Sequence, residues 1–202
     1  MDGENPNKKN KIIIIVIVLV FIAPSILSWY VFNHSNFLES RGTSNYGQII
    51  IPPVQLEDLS LIDPLNTERN DTLHGKWSMI YVAELCDEIC MENVYRMRQI
   101  HMGIGKHSLR VQKVLFLTNQ HSSELSELFI NYAGQQIISS DSVDLDALLD
   151  KFRSEKVIHP TKAGHIYISD PLGNLMMSYP SDINPKGILK DLKKLLRASR
   201  IG

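Results

Sequence analysis

Apolar and polar positions change their period several times along this chain of 202 residues. Residues 12–32 are almost entirely apolar, residues 34–45 are polar without a period, and the remainder alternates between short apolar runs and amphipathic stretches. Short apolar runs indicate buried strands, and apolar residues spaced three or four apart indicate helices. The pattern therefore predicts one wholly apolar helix followed by an α/β domain.

The apolar segment 12–32 is predicted to be a transmembrane anchor. Its 21 residues span about 31 Å as a helix, close to the thickness of a bilayer core. Three lysines precede it within residues 1–11, and the next basic residue is Arg41. This asymmetry places residues 1–11 in the cytoplasm as a short tail and the rest of the chain outside. A cleaved signal peptide is the alternative, but no small-residue cleavage site follows the apolar core.

The segment between the anchor and the domain, residues 33–72, is predicted to be a tether and linker. Its apolar piece, residues 48–51, ends at Pro52-Pro53, and polar residues follow. Beyond it, the pattern predicts strands at 76–83, 110–118, 135–139, 165–169 and 174–179, and helices at 88–103, 122–132, 141–153 and from Pro185 onward. The turn Asp170-Pro171-Leu172-Gly173, with Pro second and Gly fourth, is typical of a type I turn and makes the last two strands a hairpin.

This order of elements predicts an α/β fold of the thioredoxin-like type, in which helices flank a mixed sheet on both faces. The first part of the sheet is expected to be parallel and the hairpin to close it in the antiparallel sense. Residues 73–202 suffice for one domain with its own core. The chain carries 21 Lys and Arg against 22 Asp and Glu, without the clustered basic patch that a nucleic-acid partner requires.

The chemistry of the chain centres on Cys86 and Cys90, its only cysteines, at the junction between the strand 76–83 and the helix 88–103. Two thiols four residues apart can form a disulfide or hold one soft metal ion, and outside the cytoplasm they are readily oxidised. The start of a helix lowers the pKa of a thiol. The negative charges of Glu84, Asp87 and Glu88 act in the opposite direction: they raise the pKa of a nearby thiol and favour a nearby cation.

Copper can accept two thiolates together with one histidine, and an imidazole suits copper. The two histidines that enter the predicted hairpin are the candidates, His165 first and His159 second, since that loop lies against the cysteine turn in a thioredoxin-like fold. Met91 is assigned to packing, because it falls on the inward face of the helix together with Val94 and Met97.

These features resemble the Sco/SenC family of copper chaperones for cytochrome c oxidase assembly. Members of that family have one N-terminal anchor, a thioredoxin-like domain outside the cytoplasm and a C-x-x-x-C motif after the first core strand. Their Tyr-hydrophobic-x-x-Pro-x-Gly hairpin is matched by residues 167–173. The chain differs from the family at three positions. Asp87 and Met91 replace the prolines after the two cysteines, and Lys162 stands where the family has its copper-binding histidine.

The resemblance implies a single-pass protein of the bacterial inner membrane with its C-terminal domain in the periplasm. It also implies that Cys86 and Cys90 deliver copper to the copper site of cytochrome c oxidase subunit II or reduce the thiols of that site, with His165 completing a copper-binding set. The expected partners are subunit II or other assembly factors, and the role is that of a chaperone rather than an enzyme.

Two alternative functions remain open at this stage. The first is a thiol–disulfide oxidoreductase with other clients, in which Cys86 attacks and Cys90 resolves. The second is an assembly scaffold without redox activity, in which the disulfide is structural. The short loop between the cysteines argues against the second, because the stabilisation from a cross-link grows with the length of the loop that it closes.

Overall fold

Helix α1 (Pro6–His34) forms the first of two units in this computed structural model, which describes residues 6–34, 44–119, 125–138 and 144–199. Within it, Asn10–Tyr30 is long and apolar enough to cross a membrane, and the side chains of these residues are exposed all round. A helix that is apolar on every face is suited to lipid. The predicted segment 12–32 is therefore helical, as expected.

The second unit, Asn45–Gly202, contains one sheet of eight strands. The strands are β1 (Gln48–Gln55), β2 (Ser60–Asp63), β3 (Asn66–Thr72), β4 (Trp77–Ala83), β5 (Val111–Leu117), β6 (Gln135–Ile138), β7 (Ile166–Ser169) and β8 (Asn174–Tyr179). The helices are α2 (Glu88–Ile104), α3 (Leu145–Asp150), α4 (Pro160–Ala163) and α5 (Pro185–Ala198), with a 3-10 turn at Gly105–Arg110. The strand order across the sheet is β1-β8-β7-β4-β5-β6-β2-β3.

Strands β4 and β5 form the centre of the sheet and are buried along their whole length. They pair in parallel, and β7 pairs with the other side of β4 in the antiparallel sense. Strands covered on both faces have mainly apolar sequences, here interrupted only by Ser78 in β4 and by Gln112 and Lys113 in β5, which is why both were recognisable. The predicted turn between the last two strands also forms, since Gly173 N donates to Asp170 O at 3.0 Å. These features confirm the predicted mixed thioredoxin-like sheet.

Two apolar cores lie on opposite faces of the sheet. Helices α2 and α5 cover one face, where the inward side chains of α2, Val94, Met97 and Ile100, are buried with Leu192 of α5. Leu148 of α3 and the following Phe152 cover the other face. Since side chains alternate along a strand, neighbouring residues of β4 and β7 point into different cores.

The predicted tether is wrong from residue 48 onward, because residues 48–72 contain three strands of the sheet. Strand β1 is an edge strand paired with β8, and its register shifts between Ile49 and Val54, around Pro52 and Pro53. Proline has no N–H to donate to a ladder, so a strand containing it is tolerated at an edge or a bulge. The prolines that were interpreted as the end of a strand therefore lie inside one.

Strands β2 and β3 form a hairpin that was also interpreted as linker. Leu65 N donates to Asp63 Oδ1 at 3.0 Å in its turn. Strand β3 is the opposite edge of the sheet, and its sequence, NTERNDT, lacks the apolar residues by which a half-buried strand is recognised. Edge pairing to β2 makes it a strand despite this composition, so the domain begins at Asn45 rather than at residue 73.

Two of the predicted helices are shorter in the structure. Helix α3 covers only Leu145–Asp150 of the predicted 141–153, and Asp144 caps it by accepting from Ala147 N at 3.1 Å. Residues 141–143 lie outside the described residues. Of the predicted helix 122–132, the first residues lie outside the described ranges, and residues 125–131 form turns.

A buried carboxylate holds the start of the domain against α5. Asp191 is 1% exposed, and its Oδ2 accepts from Tyr46 N at 2.6 Å, Gly47 N at 3.1 Å and Tyr179 Oη at 3.3 Å. Burial, together with the charge of Asp191, raises the pKa of Tyr179, so the phenol keeps the proton that it donates. Lys194 Nζ lies 3.7 Å from Asp191 Oδ1 and offsets part of the buried charge.

Replacing this carboxylate is expected to destabilise the domain strongly. Asp191→Ala leaves two backbone N–H groups without their acceptor, while the Tyr179 phenol retains Met177 Sδ at 3.4 Å. We expect the free energy of unfolding to fall by about 3 kcal/mol. Urea unfolding followed by circular dichroism on residues 44–202 measures this. Glu155→Ala, at an exposed position, is the control and should change stability little. A loss as small as that of the control would contradict the assigned role of Asp191.

Candidate functional site

The two cysteines lie where the chain leaves β4 and enters α2. Cys86 precedes the helix and is half-buried, whereas Cys90 lies in its first turn and is 1% exposed. The structure joins them in a disulfide, with their Cα atoms 5.0 Å apart. The predicted strand-to-helix junction thus brings both sulfurs together, and Cys86 is the more accessible of the two.

Asp87 organises the backbone of this turn as the N-cap of α2. Its Oδ1 accepts from Cys90 N at 2.9 Å, and its carbonyl accepts from Met91 N at 3.0 Å. A carboxylate at a helix start is also favoured by the helix dipole. The Cys90 N–H is therefore bound to a carboxylate, and the negative charge of Asp87 lies beside the sulfurs.

A third sulfur lies next to the pair. Met91 Sδ is 3.8 Å from Cys86 Sγ, and Met91 is half-buried. Met91 was assigned to packing because it follows the apolar stripe of α2. The stripe is real, but Met91 stands at its outer end, where it contacts Cys86 and packs against the core. In the sequence, only the position of Met91 directly after Cys90 indicates that its sulfur lies close to the cysteine pair.

An open groove of about 380 Å³ adjoins the cysteine turn. Its lining combines apolar and charged side chains, among them Tyr81, Leu85, Asp87, Ile89 and Lys162. Leu85 and Ile89 are 48% and 63% exposed. Burial raises the pKa of Tyr81, so its phenol is protonated over the physiological range. The groove can thus accept an apolar segment of another molecule next to Cys86.

The loop of α4 lies against the cysteine turn, as the thioredoxin-like fold implied. Thr161 Oγ1 donates to Glu84 Oε1 at 3.3 Å, and Lys162 Nζ lies 3.8 Å from the same oxygen. Lys162 therefore lies beside Glu84, which precedes the cysteines, and its ammonium group pairs with that carboxylate. An ammonium group has no lone pair for a metal.

His165 lies on the other face of the sheet from α2. Its ring is 6.0 Å from the ring of Tyr167, which packs in the core formed by α3, and Ile166 between them points to the α2 side. His165 Nδ1 is buried without a hydrogen-bond partner. Burial lowers the pKa of His165, and the charge of Asp182 partly opposes this. The structure does not bring His165 to the cysteines.

Like His165, His159 is not placed to complete a metal-binding cluster with the described residues. It is exposed and precedes α4 as its N-cap residue, without a side-chain cap hydrogen bond. Within the described part of the chain, no group of three His, Cys, Asp or Glu residues is placed to hold a metal ion. The two sulfurs are together as predicted, whereas the predicted imidazole is not with them.

An α/β sheet with a cysteine pair at the carboxyl end of its central parallel strand is the arrangement of a thioredoxin-like protein, and such a pair can cycle between disulfide and dithiol. The chain belongs to the transmembrane-like, thioredoxin-like, C-terminal domain family, whose sequence model matches residues 77–199. No curated protein sequence matches the chain.

Solved structures of similar fold come from Sco proteins. Copper-bound ScoI from Arabidopsis thaliana is 15% identical, the match covers 72% of this chain and 99% of that chain, and the TM-score is 0.55. Copper-bound yeast Sco1 is 17% identical, with 73% and 95% covered and a TM-score of 0.56. BsSco, a member of the Sco family of cytochrome c oxidase assembly proteins with an identified disulfide switch, is 16% identical, with 75% and 99% covered and a TM-score of 0.54. The likeness confirms the Sco-like fold.

Removing the cap of α2 is expected to destabilise the turn that carries the cysteines. Asp87→Ala removes the acceptor for Cys90 N and should lower the free energy of unfolding by about 1 kcal/mol. Asp87→Ser retains a capping oxygen and should remain close to the unchanged protein. Thermal unfolding of the oxidised protein compares the two. Equal stability of the two variants would show that the cap hydrogen bond contributes little.

The buried His165 is expected to make stability fall in acid. Its native pKa lies below the unfolded value of 6.5, so the native state binds fewer protons, and stability is lost as the pH falls below about 6.5. His165→Gln should flatten the pH dependence of the unfolding free energy below about pH 6.5. His159→Gln, at an exposed position, should leave it unchanged. An unaltered slope in His165→Gln would contradict the effect of burial.

Proposed function

We propose that this protein is a membrane-anchored factor of cytochrome c oxidase assembly, in which reduced Cys86 and Cys90 bind Cu(I) and pass it to a client. The observation that carries the proposal is the pairing of two sulfurs on a turn with one accessible member, Cys86, whose neighbours Leu85 and Asp87 line an open groove. Sco proteins of similar fold bind copper, and BsSco belongs to an oxidase assembly family.

The donor set suits a monovalent soft ion. Thiolates select Cu(I), and binding releases one proton from each thiol. Glu84, Asp87 and Glu88 surround the turn with exposed carboxylates, which attract a cation to it. Transfer to a client then proceeds by exchange of sulfur ligands, without a change in the oxidation state of copper.

The client that we propose is the copper site of oxidase subunit II. The helix over Asn10–Tyr30 anchors the protein in the bacterial inner membrane, and the lysines before it keep the N-terminus in the cytoplasm. The domain that begins at Asn45 is then on the periplasmic side, where it reaches a client exposed at the same surface.

Thiol–disulfide exchange is a second candidate function, favoured by the unequal exposure of the cysteines. The Cys86 thiolate attacks a client disulfide and forms a mixed disulfide, and the Cys90 thiolate attacks Cys86 and releases the client as a dithiol. Two electrons pass to the client, and a dithiol reductant has to restore the Cys86–Cys90 pair. Half-buried Cys86 suits the attacking role and buried Cys90 the resolving one.

Copper binding is tested by titrating the reduced full chain, in detergent, with Cu(I) held by a coloured chelator. We expect uptake of one ion per chain, and we expect the double variant Cys86→Ser/Cys90→Ser to take up none. Each single Cys→Ser variant should bind far more weakly, because one thiolate is lost. Absence of uptake by the unchanged chain would overturn the copper function.

The exchange reaction is tested with a synthetic peptide that contains a disulfide. If exchange is the function, Cys90→Ser should accumulate a mixed disulfide through Cys86, and Cys86→Ser should trap nothing. Mass spectrometry of the non-reduced products distinguishes the two variants. Equal trapping by both would contradict the assigned order of attack.

A further inference from the structure

We infer that Met91 is the third ligand of the Cu(I) site, so that copper is held by the sulfurs of Cys86, Cys90 and Met91. The inference rests on the proposed copper function and specifies its ligand set. It replaces the imidazole expected from the sequence with a thioether, since neither His165 nor His159 is placed beside the sulfurs.

The distance between Met91 and Cys86 is the first argument. Their sulfurs are 3.8 Å apart. Metal–sulfur bonds of about 2.3 Å place two sulfurs that share one ion in a trigonal arrangement about 4 Å apart. Already in the disulfide form of the pair, the sulfurs of Met91 and Cys86 therefore lie at about the separation that a shared ion requires.

The second argument is that the backbone holds Met91 in this position. Met91 N donates to the carbonyl of Asp87 at 3.0 Å within the first turn of α2. Its side chain is half-buried and packs against the core beside Cys86. An ordered side chain loses little further freedom on binding, so the thioether is pre-organised for the ion.

The third argument is the absence of a competing ligand among the described residues. No third His, Cys, Asp or Glu completes a metal-binding cluster there. Lys162, at the place facing the turn, pairs with Glu84. A thioether is a soft, neutral donor, which favours Cu(I) over Cu(II) and Zn(II). Because Met91 has no proton to lose, the pH dependence of binding arises from the two thiols alone.

X-ray absorption at the copper edge tests this ligand set directly. The reduced full chain, in detergent and loaded with one Cu(I), should show three sulfur neighbours and no nitrogen neighbour. In protein labelled with selenomethionine, one neighbour should become selenium. Met91→Leu should remove the selenium signal, whereas Met176→Leu, a half-buried methionine that packs against the same core, should retain it.

Affinity provides the second measurement. Competition with the coloured chelator should show Cu(I) binding weakened about 10- to 100-fold in Met91→Leu, comparable to the loss from disturbing a metal's supporting shell. Leucine has nearly the same volume as methionine, so the fold is retained. His165→Gln should bind as the unchanged chain does.

The possible outcomes distinguish a failure of the Met91 assignment from a failure of the proposed copper function on which it rests. If the unchanged chain takes up no Cu(I), both fail. If it binds Cu(I) through its cysteines but shows no copper–selenium neighbour and the same affinity in Met91→Leu, the ligand assignment alone fails. A nitrogen neighbour that is lost in His165→Gln would likewise overturn it in favour of the histidine.

Discussion

The parallel pairing of β4 with β5 is the constraint on which the rest of the structure depends. The two strands are in register from Trp77–Val111 to Ala83–Leu117, and both are buried on both faces. Parallel neighbours cannot be joined by a tight turn, so the chain between them must cross over one face of the sheet. Helix α2 provides that crossover. Its first turn is therefore fixed at the carboxyl end of β4, and the cysteines lie in that turn.

The chemistry of the site follows from what this junction brings together. Asp87 caps α2 and thereby fixes the backbone at Cys90 and Met91. The same carboxylate places negative charge beside the sulfurs, which disfavours a thiolate without a cation and favours one with a bound metal. The same residue thus gives the turn its shape and its preference for a cation. The apolar rim of Leu85 and Ile89 lies outside this charged turn and offers a contact for a partner.

Most of the central fold could be predicted from local patterns. Buried strands β4 and β5 have mainly apolar sequences, and α5 has its cap at Asn184, a proline at its first position and one apolar stripe. The edges of the sheet could not be predicted this way. Strand β3 is polar and β1 contains two prolines, and each is a strand because a neighbouring strand offers it hydrogen bonds. The pairing of β1 with β8 joins residues far apart in sequence, as does the contact of Asp191 with Tyr46.

In the candidate site, too, some features could be predicted from the sequence and others depend on the tertiary structure. The sequence by itself determined that two thiols meet at a strand-to-helix junction, because residues four apart across a helix start are neighbours in any fold. It also determined that an apolar anchor precedes this junction in the chain. Tertiary structure alone decided what else surrounds them. His165 is directed away from the cysteines because successive residues at the start of β7 face opposite cores, and a difference of one position decides the face. Met91 contacts Cys86 because the Asp87 cap and the core of α2 together orient its side chain, which depends on packing as well as on spacing.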